Sequence, residues 1–213
     1  MIDVSEHLSA VRRQVGTRTL EAGEARVVTI SRTYAASVEE MWDACTNPER
    51  IPRWFLPISG ELRPGGRYQI EGNAGGVVER CDPPRSFAVT WEFGDQVSWV
   101  EVRLAADPDG GTRFTLEHVA HVDDHWEQFG PGAVGVGWEM GLLGLRGHLA
   151  GEAGLTPEEG MAWAASDEGR EFTARSSDGW CAAYGASGAD PAVARAMAGR
   201  TTAAYTGVPE EAV

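Results

Sequence analysis

The chain has 213 residues, of which 42% are apolar and 23% are charged, so it has enough apolar material to form a folded core. Its formal net charge of −14 argues against binding to nucleic acid or to an anionic membrane surface, because phosphate groups would be repelled. Three widely separated cysteines and the lack of a long apolar segment predict a cytoplasmic protein with reduced thiols and no membrane span.

The first part of the chain has the spacing of a helix. Val4, Leu8, Val11 and Val15 recur every three or four residues, which predicts an amphipathic helix over residues 3–15. We therefore expect residues 1–23 to form a helical extension outside the main domain.

A strand and a helix are predicted next. Arg26–Tyr34 contains an apolar run that is typical of a strand. Ser37 and Glu40 have the spacing of a capping box, in which each side chain bonds an exposed amide of the first helical turn.

A second short helix is predicted directly after the first. Asn47 is a good N-cap residue, and Pro48 suits the first helical position. This helix is expected to end at Pro52, just before the bulky pair Trp54 and Phe55.

Short apolar runs alternate with turn sequences between about Ser59 and Val122. Phe87, Val89, Trp91 and Phe93 occupy every second position, which is the pattern of a strand with one buried face. Turns at hairpin intervals predict that the sheet is antiparallel.

A long helix with unusual interior glycines is predicted over residues 131–151. Each interior glycine costs about 1 kcal/mol relative to alanine, so we expect the glycines to permit close approach of another segment or of a ligand. The glycines are Gly135, Gly137, Gly141, Gly144 and Gly147.

The composition changes again after Leu155. Thr156 and Glu159 have the spacing of another capping box, and two or three helices are predicted over residues 156–205. These helices are rich in aromatic residues, so we expect them to dock either on the glycine face of the long helix or in a homodimer. The sequence leaves monomer and homodimer open.

Two stretches resemble a known family. One is the Trp54-Phe55 segment, and the other is Gly76–Trp91, which is similar to the "G-x-V-x-E/R…P-P-R-x-L/F-x-x-T-W" strand-turn-strand of proteins like the C-terminal domain of the heat-shock-protein-90 ATPase activator. The glycine-rich helix that carries Trp138 is similar to the closing helix of that family.

This resemblance to the START-like (SRPBCC) superfamily implies an α+β helix-grip fold, in which a curved antiparallel sheet surrounds a long C-terminal helix. It covers residues 24–151, which we expect to form the main domain. Residues 152–213 are expected to form a helical C-terminal extension.

The three histidines His118, His121 and His125 do not have the spacing of a metal site. On one strand His118 and His121 would point to opposite faces, and a zinc site needs three or four converging ligands. We therefore expect no metal and no cofactor. His118 shares its alternation with Phe114 and Leu116, so we expect it to face the interior, where it either bonds a ligand or packs as a core histidine.

The fold that the resemblance implies leaves an apolar cavity between sheet and helix, which is the usual form of a small-molecule site. We therefore expect a protein that binds a hydrophobic or aromatic small molecule, with no catalytic residue. The candidate lining residues are Trp54, Phe55, Tyr68, Trp91, Phe93, His118, Trp138 and Leu142. Two alternatives stay open: a cyclase- or dehydratase-type enzyme that uses His118, and a co-chaperone that stimulates a heat-shock ATPase.

Overall fold

The computed structural model describes residues 4–207, which form both helices and strands. The α-helices are α1 (Val4–Ala10), α2 (Val38–Thr46), α3 (Asp124–Phe129), α4 (Gly132–Leu149), α5 (Pro157–Ala164), α6 (Asp167–Ala186) and α7 (Pro191–Thr206), and Ile51–Arg53 forms a 3-10 helix. The strands are β1 (Arg12–Leu20), β2 (Gly23–Tyr34), β3 (Ile58–Gly60), β4 (Arg67–Ile70), β5 (Gly75–Asp82), β6 (Ser86–Phe93), β7 (Gln96–Ala106) and β8 (Thr112–His121).

The eight strands form one open sheet in the order β1-β2-β8-β7-β6-β5-β4-β3. Consecutive strands from β3 to β8 pair antiparallel, so successive hairpins build this part of the sheet. β8 then lies beside β2, which joins the first strands to the last. The predicted antiparallel sheet and the α+β class are confirmed.

Two compact units make up the described chain. The sheet unit consists of Ser31–Ala120 and Gly141–Gly154, and the terminal unit consists of residues 4–30, 121–140 and 155–207. α4 contributes its first half to the terminal unit and its second half to the sheet unit. The division into residues 1–23, 24–151 and 152–213 that is expected from the sequence stays a prediction.

One face of the sheet in the sheet unit is largely apolar, and we call it the inner face. Arg32 on β2 is a buried cation on this face, 5.4 Å from the centroid of the Tyr34 ring. Helix α2 packs on the inner face where Trp42 meets Phe87 edge to face, with ring centroids 6.1 Å apart. The Tyr34 hydroxyl donates a hydrogen bond to the Leu142 carbonyl of α4 at 3.0 Å. A sheet face covered by helices in this way is the helix-grip arrangement. Paired strand residues on this face include Val100, Val102 and Leu104 on β7 with His118, Leu116 and Phe114 on β8.

In the terminal unit, glycines of α4 receive helices α6 and α7. A Cβ atom at Gly135 would come closer than 3.0 Å to the Trp180 ring, and one at Gly132 would lie 3.0 Å from Thr201. The Tyr205 hydroxyl donates to the Ala133 carbonyl at 2.9 Å. The expected docking of the C-terminal helices on the glycine face is therefore confirmed for the first half of α4.

A buried ion pair joins three distant segments of the terminal unit. Glu139 of α4 has no exposed surface, and its carboxylate accepts two hydrogen bonds from the guanidinium of Arg13 on β1, one of them through Nε at 3.1 Å. Ser176 of α6 donates to the same carboxylate at 2.6 Å. A Cβ at Gly179 would come within 2.9 Å of the Arg13 guanidinium, so the lack of a side chain at this position lets the guanidinium pack against α6. The carboxylate is thus fully compensated, as a buried charge requires.

The predicted N-terminal helix over residues 3–15 is wrong beyond Ala10. Arg12–Leu20 is a strand that pairs with β2. Val11 and Val15 fit helical spacing, but Gly16 and the β-branched residues around it disfavour a helix, and pairing within the sheet decides the outcome.

The predicted second short helix is also corrected. Asn47 is the C-cap of α2, and its side chain also accepts from the Glu49 amide at 2.9 Å, as an N-cap would. The helix that follows is a 3-10 helix that occupies only Ile51–Arg53. Ser37 caps α2 as expected, but the Glu40 carboxylate pairs with Arg50 at 2.6 Å instead of completing a capping box. The full capping box that was predicted for Thr156 and Glu159 is confirmed.

The buried ion pair can be tested by removing one partner. Arg13→Met would leave the Glu139 carboxylate buried without a counter-charge, so we expect the free energy of unfolding to fall by about 3–5 kcal/mol in urea denaturation at neutral pH. Arg12 is the exposed residue next to Arg13, and Arg12→Met should change the free energy of unfolding by less than about 0.5 kcal/mol. Adding Glu139→Gln to Arg13→Met should recover part of the loss. Equal effects of Arg12→Met and Arg13→Met would contradict this account.

Candidate functional site

A polar pair lies within the apolar inner face of the sheet unit. His118 on β8 is only 4% exposed, and its Nε2 lies 2.8 Å from the Oγ of Ser98 on β7. The Trp91 ring on β6 is 6.3 Å from the His118 ring between centroids. Trp91 is the strand partner of Ser98, so the three side chains share one face of neighbouring strands. The sequence prediction that His118 faces the interior is confirmed.

Ser98 determines which ring nitrogen of His118 carries the proton. The Ser98 hydroxyl has one hydrogen. Its Oγ atom lies 3.1 Å from the carbonyl oxygen of Trp91, which can only accept. When the hydroxyl donates to that carbonyl, its oxygen accepts from the Nε2–H group of His118. This assignment satisfies both contacts and makes Nδ1 the acceptor nitrogen of the neutral ring.

Burial keeps His118 neutral. The loss of solvation lowers the pKa of His118 from 6.5 to about 4. At neutral pH the ring is therefore an uncharged hydrogen-bonding group, and an uncharged ring suits a site for a neutral ligand. It also makes His118 a poor proton donor at that pH.

Trp54 and Phe55 belong to a short stretch, Arg50–Phe55, that we call the aromatic segment. It packs along the second half of α4. A Cβ at Gly144 would overlap the Trp54 carbonyl, and one at Gly141 would lie 3.5 Å from the Phe55 ring. The Trp54 indole donates to the Ala44 carbonyl of α2 at 2.9 Å. Both aromatic side chains are half-buried, so the segment lies at the surface of the sheet unit.

The other predicted lining residues fall in different places. Tyr68 is buried, and its hydroxyl donates to the Thr90 carbonyl at 2.7 Å, so that donor is used within the sheet. Leu142 is buried in the second half of α4. Phe93 ends β6 beside a tight turn and is 61% exposed, so it does not belong to the buried part of the inner face. Trp138 belongs to the terminal unit, and its role stays a prediction.

The strand glutamates that could be considered as acid–base residues are held in ion pairs on the opposite face. Glu92 pairs with Arg67 at 2.6 Å, and Glu101 pairs with Arg80 at 2.7 Å. Glu117 lies 3.5 Å from Arg103. Pairing with Arg67 holds the pKa of Glu92 below its usual value, so this carboxylate is a weak base.

Within residues 4–207, no group of three histidine, cysteine, aspartate or glutamate side chains is arranged to hold a metal ion. No helix in the same range has both the length and the apolar character needed to cross a membrane.

Sequence reasoning missed Ser98 and the buried carboxylate of Glu139. Ser98 precedes Val100 and Val102 at every second position, so the strand period already places it on the inner face. Its partner His118 could not be found in this way, because strand pairing and register are not visible in one sequence. The same holds for Glu139, whose partner Arg13 is 126 positions away.

The fold and the covered inner face define a START-like protein of the helix-grip class. The family described as "Activator of Hsp90 ATPase homolog 1-like protein" matches residues 35–150, which is more than half of the chain. The chain therefore belongs to that family. A comparison with curated proteins gave no match.

Solved structures support the same assignment. The crystal structure of CalU16 from Micromonospora echinospora is 39% identical and has a TM-score of 0.66, and the match covers 82% of this chain and 98% of CalU16. For the solution structure of CalU16 the identity is 37% and the TM-score 0.69, with 84% and 97% covered. DynU16, a protein in the dynemicin biosynthetic locus, is 20% identical with a TM-score of 0.52 over 60% of this chain and 48% of DynU16, which shows a shared fold.

The lowered pKa of His118 predicts how stability depends on pH. The unfolded state gains a proton at about pH 6.5, whereas the folded state resists protonation until about pH 4. Acidification between these values should therefore lower the free energy of unfolding, by about 3 kcal/mol in total at 1.36 kcal/mol per pKa unit. We expect His118→Gln to lack this component in denaturation curves measured from pH 7 to pH 4. Parallel curves for the two proteins, or an NMR titration of His118 near pH 6.5, would contradict it.

Proposed function

We propose that this protein binds an apolar or aromatic small molecule on the inner face of the sheet unit, against Trp91, Ser98 and His118. The observation that carries the proposal is the contact between a neutral, buried His118 and a half-buried Ser98 on a face that is largely apolar. Binding sites for small molecules combine an apolar lining with a few placed polar groups in this way.

The neighbouring residues support the same kind of ligand. The Trp91 ring offers a flat apolar surface 6.3 Å from the His118 ring, and both sit where strands β6 to β8 run side by side. Val89, Val100 and Leu116 extend the face with aliphatic side chains, all of them buried. A neutral ring with a donor engaged by Ser98 favours an uncharged ligand group at this position, because neither His118 nor Ser98 carries a positive charge at neutral pH.

An enzymatic role has weaker support. General acid catalysis near pH 7 requires a group that holds a proton at that pH, and the pKa of His118 near 4 does not provide one. A cyclase- or dehydratase-type reaction would have to use His118 as a weak general base. Membership of the family supports the fold of this chain. Stimulation of a heat-shock ATPase does not follow from that fold.

The proposal is tested by titrating the protein with N-phenyl-1-naphthylamine, an uncharged aromatic probe, and by native mass spectrometry of the protein as expressed. We expect saturable binding that Trp91→Ala weakens by about tenfold or more, because the aromatic contact is lost. Trp99→Ala is the matched control. Trp99 is the neighbour of Ser98 on β7 and points to the opposite face, so its removal should change the affinity by less than about twofold.

Circular dichroism should show that both variants keep the fold. Equal weakening by Trp91→Ala and Trp99→Ala would place the probe elsewhere. An unmodified protein that neither binds the probe nor carries a co-purifying molecule would contradict the proposed function.

A further inference from the structure

The aromatic segment follows one stripe of α4. Its contacts fall at Gly141, Gly144 and His148, and positions three and seven residues apart lie on the same side of a helix. At the two glycines the neighbouring groups are the Phe55 ring and the Trp54 carbonyl, which provide packing. Arg50, at the start of the segment, makes a polar contact with His148 on the same stripe.

Arg50 is the centre of this contact. Its Nε and Nη2 atoms lie 3.2 Å and 3.0 Å from the Nε2 atom of His148. Its Nη2 and Nη1 atoms also pair with Glu40 at 2.6 Å and Asp43 at 2.8 Å, both on α2. Arg50 thereby ties the aromatic segment to α2 through two carboxylates and to α4 through one imidazole.

The contact with α4 requires a neutral imidazole. A guanidinium has only donors, so Nε2 of His148 must accept with its lone pair. Protonation replaces that lone pair with an N–H group and places a second positive charge about 3 Å from Arg50, which turns the attraction into repulsion. The two carboxylates on α2 are unaffected by this change and keep Arg50 on the α2 side.

The charges around His148 come from every element that packs against it. Arg50 and Arg53 from the aromatic segment oppose its protonation, and Glu40 from α2 favours it. Burial acts most strongly, and the pKa of His148 is lowered as a net result. On α4 itself, Arg146 is paired with Glu152 at 3.7 Å. Asp43 faces the same guanidinium and is held by it.

We propose that the Arg50–His148 contact is an acid-sensitive latch that holds the aromatic segment on α4 at neutral pH and releases it when His148 is protonated. The latched form binds the proton less readily than the released form, so latching is complete above about pH 6.5 and weakens as the pH falls below that value. A role of the latch in controlling ligand entry past Trp54 and Phe55 rests on the proposed function. The release of the aromatic segment from α4 does not depend on that function.

Hydrogen exchange tests the latch without any ligand. The amides of Trp54 and Phe55 donate to the Ile51 carbonyl at 3.2 Å and 2.9 Å, within the segment itself. Release from α4 removes the packing that supports this turn, so the turn should open more often and both amides should exchange faster. Exchange of a peptide covering residues 50–56 is followed by mass spectrometry at pH 7.5 and pH 5.5 and corrected for the intrinsic exchange rate. We expect protection in the unmodified protein to fall by at least about threefold at the lower pH.

Three variants separate the latch from general effects of acid. His148→Gln keeps an acceptor for Arg50 and does not titrate, so its protection should be high and equal at both pH values. His148→Ala removes the acceptor and should show low protection at both. His125→Gln replaces an exposed histidine of α3 and should behave like the unmodified protein.

The inference would be overturned by either of two results. One is a pH response of His148→Gln that equals that of the unmodified protein, and the other is full protection of His148→Ala at pH 7.5. Because no probe is present, these results are independent of the titration that tests the proposed function.

Discussion

Close approach of other chain segments to helix α4 is the constraint on which the rest of the structure depends. In the terminal unit the Trp180 ring lies against Gly135, and in the sheet unit the Trp54 carbonyl lies against Gly144. Glycine in a helix interior costs about 1 kcal/mol relative to alanine, so these positions need a compensating contact. Burial of the Trp180 ring, which is 1% exposed, provides one in the terminal unit. The same arrangement in the sheet unit brings the aromatic segment onto the helix.

The buried polar groups of the two units have different consequences. Glu139 is fully satisfied by Arg13 and Ser176, so it specifies how three segments of the terminal unit meet and leaves no capacity for other chemistry. His118 is a neutral ring that contacts Ser98 on a largely apolar face, and binding sites for small molecules place polar groups in such surroundings. This contrast is why we assign a structural role to the first group and propose a binding role for the second.

Local patterns predicted most of the elements and few of the contacts. The period of two along β6 to β8 and the interior glycines of α4 correctly indicated the sheet and the docking of the C-terminal helices, because both signals lie within one segment. The strand Arg12–Leu20 was missed because Val11 and Val15 also fit helical spacing, and its pairing with β2 is not visible in the local sequence. The His118–Ser98 pair and the exposure of Phe93 depend on strand register and on where a strand ends, neither of which a single sequence contains.

The most direct measurement of the central constraint compares alanine substitutions at three helical glycines by chemical denaturation. Gly135→Ala and Gly144→Ala would each force a Cβ into Trp180 or the Trp54 carbonyl, so we expect the free energy of unfolding to fall by about 1–3 kcal/mol. Gly185→Ala, in α6 with open space around it, should raise the free energy of unfolding by up to about 1 kcal/mol, as helix propensity alone dictates. Stabilisation of the protein by all three substitutions would show that the glycines of α4 are not required for packing and would contradict the account.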